Sequence, residues 1–155
     1  MPRDLDAARV HDLLGIIGDS VYKLRQLGQS PKEAFLKDFR NTESAKYLLL
    51  KATEAAIDIC NHLVSRIGGR APKDYADCFA VLEELRVISP DLARRLKKMA
   101  RFRNLIVHLY WQVDNARVYE IVQNDLGDLE EYQRQIAAYL QTHRQKKSES
   151  EEESP

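Results

Sequence analysis

The chain has few of the residues that interrupt helices. Six glycines and five prolines in 155 residues leave long stretches without a strong helix breaker, and no segment shows the two-residue alternation of a half-buried strand. No apolar run reaches the roughly 20 residues that a membrane-spanning helix needs. These scarcities argue against a sheet-rich fold and against a membrane protein, and they predict a helical domain.

Cysteine is also scarce, with only Cys60 and Cys78 present. Their spacing matches neither a CxxC pair nor a zinc-ligand pattern. Because both lie among apolar residues, we predict buried free thiols in a reducing compartment. Asp4, Asp6 and Asp12 interrupt the region where a signal peptide needs an apolar core, so we expect a cytoplasmic protein with no membrane contact.

Apolar residues at three- and four-residue steps, the period of a helix, recur through most of the chain. Ser30-Pro31 and Ser89-Pro90 each pair a capping serine with a proline, which is favoured at the first position of a helix. The predicted helices cover about residues 4–27, 31–37, 40–67, 75–87, 91–110 and 116–144, the last bent near 125–127. We therefore predict an all-α fold, an antiparallel helical bundle of four long helices plus a short one.

The charges balance over the whole chain but are unevenly distributed. Residues 1–147 carry 24 basic and 20 acidic side chains, a net charge of +4, because four glutamates lie in the last eight residues. We assign residues 1–144 to one helical domain. We predict that residues 145–155, which are charged and Ser/Glu-rich, form a disordered acidic tail.

A basic segment, residues 86–110, concentrates positive charge inside the domain. It carries seven arginines and lysines against Asp91 alone, a net charge of +6. Such clustering favours a polyanionic partner and would steer it toward this face. A solvated basic helix face is the plainer interpretation of the same pattern.

The basic segment ends in Arg101-Phe102-Arg103-Asn104-Leu105-Ile106-Val107-His108-Leu109-Tyr110. Arginine holds phosphate through a planar fork of donors, and histidine transfers protons near neutral pH. On a regular helix Asn104 and His108 point the same way, whereas Arg103 and His108 are separated by about 140° of rotation. An Arg-x4-His pair arises by chance in roughly one shuffled chain in three of this composition, so the spacing alone decides little.

This motif holds the groups needed to cleave RNA without a metal. His108 lies near the predicted helix end, where free carbonyls favour a protonated imidazole, so it can alternate between base and acid. It can take the proton from a ribose 2′-hydroxyl while an arginine stabilises the pentavalent phosphorus, giving a 2′,3′-cyclic phosphate and a 5′-hydroxyl. The structural alternative is that His108 is a hydrogen-bonded core or interface residue.

The sequence resembles the HEPN superfamily of all-helical ribonucleases, and within it the HepT-like toxins encoded beside an MntA-type nucleotidyltransferase antitoxin. The superfamily signature is an arginine followed a few positions later by a histidine, which the HepT branch extends to Arg-x4-His-x-Tyr. Arg103, His108 and Tyr110 fill every position. The similarity covers about residues 10–140, through segments 47–52, 59–63, 74–79, 97–102, 113–114 and 125–129.

The resemblance implies a homodimer in which Arg103 of one subunit acts with His108 of the other across a positively charged cleft. It implies an endoribonuclease toxin that needs neither metal nor cofactor and attacks tRNA or mRNA. Arg103 and His108 are then catalytic, Asn104 and Arg101 position the substrate, and Tyr110 accepts AMP that the antitoxin transfers from ATP. The added phosphate and base would repel and block RNA. Tyr110 lies about 200° around the helix from His108, so the helix must end or distort between them.

Two alternatives stay open at this point. Helical bundles also accompany nucleotidyltransferases as non-catalytic nucleotide- or substrate-binding subunits, and a basic helix suits that role. The third interpretation is a helical dimer whose Arg103, Asn104 and His108 form only an interface network. It predicts that Arg103→Ala lowers thermal stability in step with activity, whereas a catalytic role predicts lost activity at little changed stability.

Overall fold

A computed structural model describes residues 4–153, and all regular structure in this range is helical. The α-helices are α1 Ala7–Leu27, α2 Lys32–Lys37, α3 Phe39–Ile67, α4 Tyr75–Glu84, α5 Pro90–His108, α6 Asn115–Asn124 and α7 Leu126–Glu152. A 3₁₀ turn, Tyr110–Gln112, separates α5 from α6. The predicted all-α bundle is confirmed. No helix within residues 4–153 is long and apolar enough to cross a bilayer, and the cytoplasmic location stays a prediction.

Short polar side chains cap the helices at the positions that the sequence indicates. Ser89 Oγ accepts a hydrogen bond from the backbone N–H of Leu92 at 3.2 Å, with Pro90 opening α5. Asp114 accepts from the backbone N–H of Ala116 at 2.9 Å and starts α6. The predicted bend in the last helical region is a complete break, because Asp125 ends α6 and separates it from α7.

The core lies where α1 packs along α3, and α4, α5 and α7 close over this pair. Tyr132 of α7 is its largest fully buried side chain. The Tyr132 hydroxyl donates to the carbonyl oxygen of Ala56 at 2.9 Å, and the ring meets Phe79 edge-on with centroids 5.9 Å apart. Burial raises the pKa of Tyr132 well above its ordinary value. The ring thus contributes apolar burial without leaving its hydroxyl unpaired.

Gly28 ends α1, as predicted, and lets α6 approach the helix end. A β-carbon at this position would lie only 2.8 Å from Cγ1 of Val122. The side-chain amide of Gln123 donates to the Gly28 carbonyl oxygen at 2.6 Å. The contact holds the end of α1 against α6, the helix that follows the motif.

The structure corrects the prediction of free thiols. Cys60 on α3 and Cys78 on α4 form a disulfide, with their Cα atoms 6.3 Å apart. Both side chains are fully buried, as expected from their apolar neighbours. The packing of α3 against α4 brings the two sulfurs together, and local sequence patterns do not reveal this juxtaposition.

The predicted disordered tail is helical as far as it is described. Helix α7 continues through Gln145 to Glu152, although every side chain from residue 141 to 153 is exposed. This segment contains no glycine or proline, and its Gln, Lys and Glu residues favour extension of a helix that has already formed. Residues 1–3 of the assigned domain and residues 154–155 of the assigned tail lie outside the described residues.

Candidate active site

The motif lies at the carboxyl end of α5, where the chain leaves the helix. His108 is the last helical residue, and Leu109 follows with φ −136° and ψ 48°. The 3₁₀ turn that starts at Tyr110 then redirects the chain toward α6. The helix therefore ends between His108 and Tyr110, two residues earlier than predicted. The rotation of about 200° that a continuous helix would place between these two side chains does not apply.

Arg103 is held by side chains from two other helices. Its Nε donates to the carboxylate of Glu54 on α3, and its guanidinium lies 4.9 Å from the ring centroid of Tyr75 on α4. Its Nη1 donates to Oδ1 of Asn104 at 3.0 Å. Only 13% of the Arg103 side chain is exposed. These contacts fix the guanidinium at the edge of the bundle, with a carboxylate in the place where an anionic ligand would bind.

His108 has the opposite environment. Its side chain is exposed, and its imidazole makes no hydrogen bond to any residue between 4 and 153. The interpretation of His108 as a buried core histidine is therefore wrong for this subunit. An imidazole at a helix end, accessible to solvent and without a partner, is available to accept or donate a proton.

Asn104 and Arg101 lie on a different side of α5 from the core. Together with Lys97 they line a groove against α4 that also includes Asp74 and Asp77. Arg101 is exposed and Asn104 is half-buried. Asn104 thus contacts Arg103 and not His108, although the regular helix places Asn104 and His108 on the same side.

Tyr110 is fastened to the amino-terminal part of α3. Its hydroxyl donates to Oε2 of Glu43, and Lys46 Nζ lies 4.6 Å from the ring centroid. Lys46 is itself buried and lies 3.5 Å from the Glu43 carboxylate. The Tyr110 side chain remains 38% exposed. The phenol is therefore held in a defined position and stays accessible from outside.

Glu43 and Glu54 place the two ends of the motif on one face of α3. They are eleven residues apart, which corresponds to about three helical turns and only about 20° of rotation. Glu54 holds Arg103 and Glu43 holds Tyr110. Neither glutamate, nor Tyr75, stands out in the sequence, since their partners lie on a distant segment of the chain.

The basic segment is partly neutralised at its start. Arg94 pairs with Asp91. Arg95 lies 2.8 Å from Asp91 and 2.5 Å from Asp128 of α7. The pKa of Asp91 is lowered chiefly by its hydrogen bond with Arg94. The cations of this segment that have no ion pair within residues 4–153 are Arg86, which precedes α5, and Lys97, Lys98 and Arg101, which lie on the approach to the motif.

Within residues 4–153, no three His, Cys, Asp or Glu side chains converge into a group that could hold a metal ion. Asp58 and His62, on the same helix as Glu43 and Glu54, have shifted pKa values. Burial, followed by the charge of Glu54, raises the pKa of Asp58. Burial, followed by the charge of Arg66, lowers the pKa of His62.

The fold and the motif together define the class of the protein, an all-helical HEPN-type bundle that presents an Arg-x4-His-x-Tyr motif at the end of one helix. Residues 17–136 match the family model described as Ribonuclease HepT-like. The chain belongs to the HepT-like ribonuclease family.

Individual relatives agree with this assignment. The tRNA nuclease HepT of Aphanizomenon flos-aquae is 27% identical over 141 residues, which cover 90% of this chain and 95% of the relative. The mRNA nuclease HepT of Shewanella oneidensis is 34% identical over 98 residues, 63% of this chain and 74% of the relative. A solved structure of the tri-AMPylated Shewanella oneidensis HEPN toxin in complex with MNT antitoxin superimposes with a TM-score of 0.78 at 28% identity, over 84% of this chain and 97% of that one.

Proposed function

We propose that the chain is the endoribonuclease toxin of a HepT/MntA-type toxin-antitoxin system. The family assignment and the naming of two relatives as tRNA and mRNA nucleases support this activity. The observation that carries the proposal is the pairing of a restrained guanidinium, Arg103, with an exposed and unpartnered imidazole, His108, at the end of α5. RNA, as tRNA or mRNA, is the proposed substrate.

The reaction is a transphosphorylation that requires no metal. His108 takes the proton of a ribose 2′-hydroxyl as the 2′-oxygen forms a bond to the adjacent phosphorus. Arg103 binds the phosphate oxygens and stabilises the charge that develops on them. The bond from phosphorus to the 5′-oxygen then breaks, and the protonated His108 imidazole gives its proton to this oxygen and returns to its neutral form. The products are a 2′,3′-cyclic phosphate and a 5′-hydroxyl.

Arg103 and His108 act together in a homodimer. In one subunit Arg103 is held inward by Glu54 and Tyr75, whereas His108 points into solvent. The exposed apolar side chains beside His108 supply surface for a second copy: Val107 is 43% exposed, Leu109 38% and Trp111 77%. A two-fold contact through this surface pairs Arg103 of one subunit with His108 of the partner subunit. Asn104 then positions Arg103 and the substrate, and Arg101 contacts a neighbouring phosphate.

Tyr110 is the regulatory acceptor in this proposal. An MntA-like nucleotidyltransferase antitoxin transfers AMP from ATP to the Tyr110 hydroxyl oxygen and releases pyrophosphate. The added AMP brings negative charge and bulk into the RNA cleft. The tri-AMPylated state of the similar Shewanella oneidensis toxin supports such a modification. The accessible and positioned phenol of Tyr110 suits the role of acceptor. Intact-mass measurement after incubation with antitoxin and ATP tests it, since Tyr110→Phe must abolish the added mass.

The activity is tested by incubating purified protein with total tRNA and with a structured mRNA in the presence of EDTA. Wild type is expected to cleave, and His108→Ala and Arg103→Ala are each expected to lose about 100-fold or more in rate. His11→Ala, a change at an exposed histidine of α1, is the matched control and should cleave as wild type does. Absence of cleavage by unmodified wild type of verified mass would favour a non-catalytic nucleotide- or substrate-binding subunit of a nucleotidyltransferase.

A further inference from the structure

A cavity of about 380 Å³ lies between α3, α5, α6 and α7, and Arg103 forms part of its wall. Its floor is apolar and includes Met99, Phe102 and Ile121. Its rim carries the positive side chains Arg94, Arg95, Lys98 and Arg117, together with the carboxylates Asp125 and Asp128. The volume falls within the range of about 300–1,000 Å³ that is typical of small-ligand pockets. None of the roles proposed so far uses this cavity.

The rim cations differ in how far they are already neutralised. Arg94 and Arg95 are engaged by Asp91, and Arg95 also by Asp128. Within residues 4–153, Lys98 and Arg117 have no carboxylate within ion-pair distance. Arg117 instead lies 5.9 Å from the ring centroid of Phe102. The Asp125 carboxylate acts on both cations only at longer range, so Lys98 and Arg117 still leave positive charge that suits a phosphate.

A phosphate alone does not match the rest of the cavity. The apolar floor needs an apolar or flat surface against it, which an inorganic anion lacks. Asp125 also faces the cavity, and no side chain within residues 4–153 donates a hydrogen bond to its carboxylate. Burial, followed by the charge of Asp128, raises the pKa of Asp125. A ligand with one anionic end and a flat end that carries N–H donors satisfies all three features, and a nucleotide has this composition.

We propose that the cavity binds one unpaired nucleotide of the RNA, adjacent to the nucleotide at which the chain is cleaved. This inference rests on the proposed ribonuclease function, because Arg103 contributes to both the cavity wall and the cleavage site. The base lies against Met99, Phe102 and Ile121, Lys98 and Arg117 hold its phosphate, and Asp125 accepts from the edge of the base. A base inside a duplex is unavailable for such contacts, so the cavity selects single-stranded or loop RNA.

Binding can be separated from cleavage with a fluorescent single-stranded 2′-O-methyl RNA of mixed sequence, which lacks the nucleophilic hydroxyl. Met99→Trp fills the cavity without changing its charge, and Tyr22→Trp, at an exposed position of α1 that does not line the cavity, is the matched control. Fluorescence anisotropy should show about tenfold weaker binding of this RNA to Met99→Trp and unchanged binding to Tyr22→Trp. The same RNA annealed into a duplex should bind wild type and Met99→Trp equally.

A charge comparison tests the rim. Lys98→Ala should weaken binding of the single-stranded probe by about threefold to tenfold at fixed salt. Lys23→Ala, which removes one lysine charge from α1 far from the motif in sequence, should have a smaller effect. Free AMP and GMP serve as competitors. Displacement of the RNA probe from wild type but not from Met99→Trp shows that the cavity takes the isolated nucleotide as well, and supports the site.

Equal binding of the single-stranded probe to wild type and Met99→Trp would overturn the proposal, as would an equal loss for the duplex. If Met99→Trp does not fold by circular dichroism, Ile121→Phe fills the cavity from α6 and replaces it. Cleavage of tRNA by the same wild-type sample separates the two proposals. If wild type cleaves tRNA but Met99→Trp binds the probe as wild type does, only the nucleotide site is contradicted. If Met99→Trp weakens binding of the probe but wild type does not cleave tRNA, only the ribonuclease function is contradicted.

Discussion

Tyr132 and Tyr110 are each held by a hydrogen bond from the phenol, yet their surroundings are opposite. Tyr132 is fully buried in the core and donates to a backbone carbonyl, whereas Tyr110 is 38% exposed and donates to the Glu43 carboxylate. The core around Tyr132 is stabilised by apolar packing from several helices, and the end of α5 by a few polar contacts with α3. Substitutions should therefore lower stability in the first region and alter RNA chemistry in the second.

Truncation of a core aromatic should give the largest effect on stability. Phe79 is 1% exposed and packs against Tyr132, so Phe79→Ala should lower the free energy of unfolding by about 3–5 kcal/mol. Phe39, which is 74% exposed, provides the matched control, and Phe39→Ala should change stability by about 0.5 kcal/mol or less. Urea denaturation measures both. Similar losses in the free energy of unfolding for the two variants would contradict the prediction that burial determines the size of the loss.

Replacing each of the two tyrosines with phenylalanine removes a single oxygen atom and so compares the two regions with the smallest possible change. Tyr132→Phe removes the second hydrogen bond to the Ala56 carbonyl, which still accepts within α3, and should reduce the free energy of unfolding by about 1 kcal/mol. Tyr110→Phe should leave thermal unfolding nearly unchanged and prevent the addition of AMP. Thermal melting and intact mass give the two readouts. A large loss of stability in Tyr110→Phe would mean that its bond to Glu43 is structural.

Substitution of Glu54 should have a smaller effect, which concerns RNA binding at the end of α5. Its carboxylate pairs with the Arg103 guanidinium in the free protein, so in the proposed mechanism RNA phosphate has to displace it. Glu54→Gln should therefore tighten binding of the 2′-O-methyl RNA by about threefold at low salt. Glu33→Gln, at an exposed glutamate of α2, controls for the loss of one negative charge. Weaker binding by Glu54→Gln would instead make Glu54 a residue that positions Arg103.

The smallest predicted effect concerns pH. The backbone N–H of Asp6 donates to Nε2 of His62 at 3.1 Å, and burial lowers the pKa of His62. The unfolded chain therefore takes up this proton more readily, so the His62 contribution to stability is complete above pH of about 6.5 and is lost progressively below it. His62→Gln should flatten this slope in denaturant titrations between neutral and mildly acidic pH, and His11→Gln should leave it intact. An unchanged slope in His62→Gln would exclude His62 as its source.

The helices were predictable because the signals that define them act within one or two turns. Ser89 and Pro90 cap α5, Asp114 caps α6, and Gly28 ends α1, each by contacts with residues nearby in sequence. The same logic failed for the tail. Low apolar content correctly indicated exposure, but an exposed segment without glycine or proline can still continue an existing helix.

The candidate site was predictable only in part. Its motif residues are close together in the sequence, whereas the residues that contact them lie far away along the chain. Arg103, His108 and Tyr110 lie in one short motif, so local sequence is enough to nominate them, and their roles stay predictions. Glu54 lies 49 residues from Arg103, and Glu43 lies 67 residues from Tyr110. The Cys60–Cys78 disulfide depends in the same way on how α3 and α4 pack. Such pairings arise from tertiary packing, which cannot be predicted from the spacing of residues along one helix.

If the end of α5 cleaves RNA by proton transfer at the ribose, the new RNA ends must carry the chemical groups that this reaction leaves. A defined tRNA would be cleaved by wild type in EDTA, and the fragments analysed by mass spectrometry and by end-labelling with and without phosphatase. We expect 2′,3′-cyclic phosphate and 5′-hydroxyl ends, formed by wild type and absent with His108→Ala. Fragments that carry 5′-phosphate and 3′-hydroxyl ends would contradict it, because the 2′-oxygen would then not have been the nucleophile.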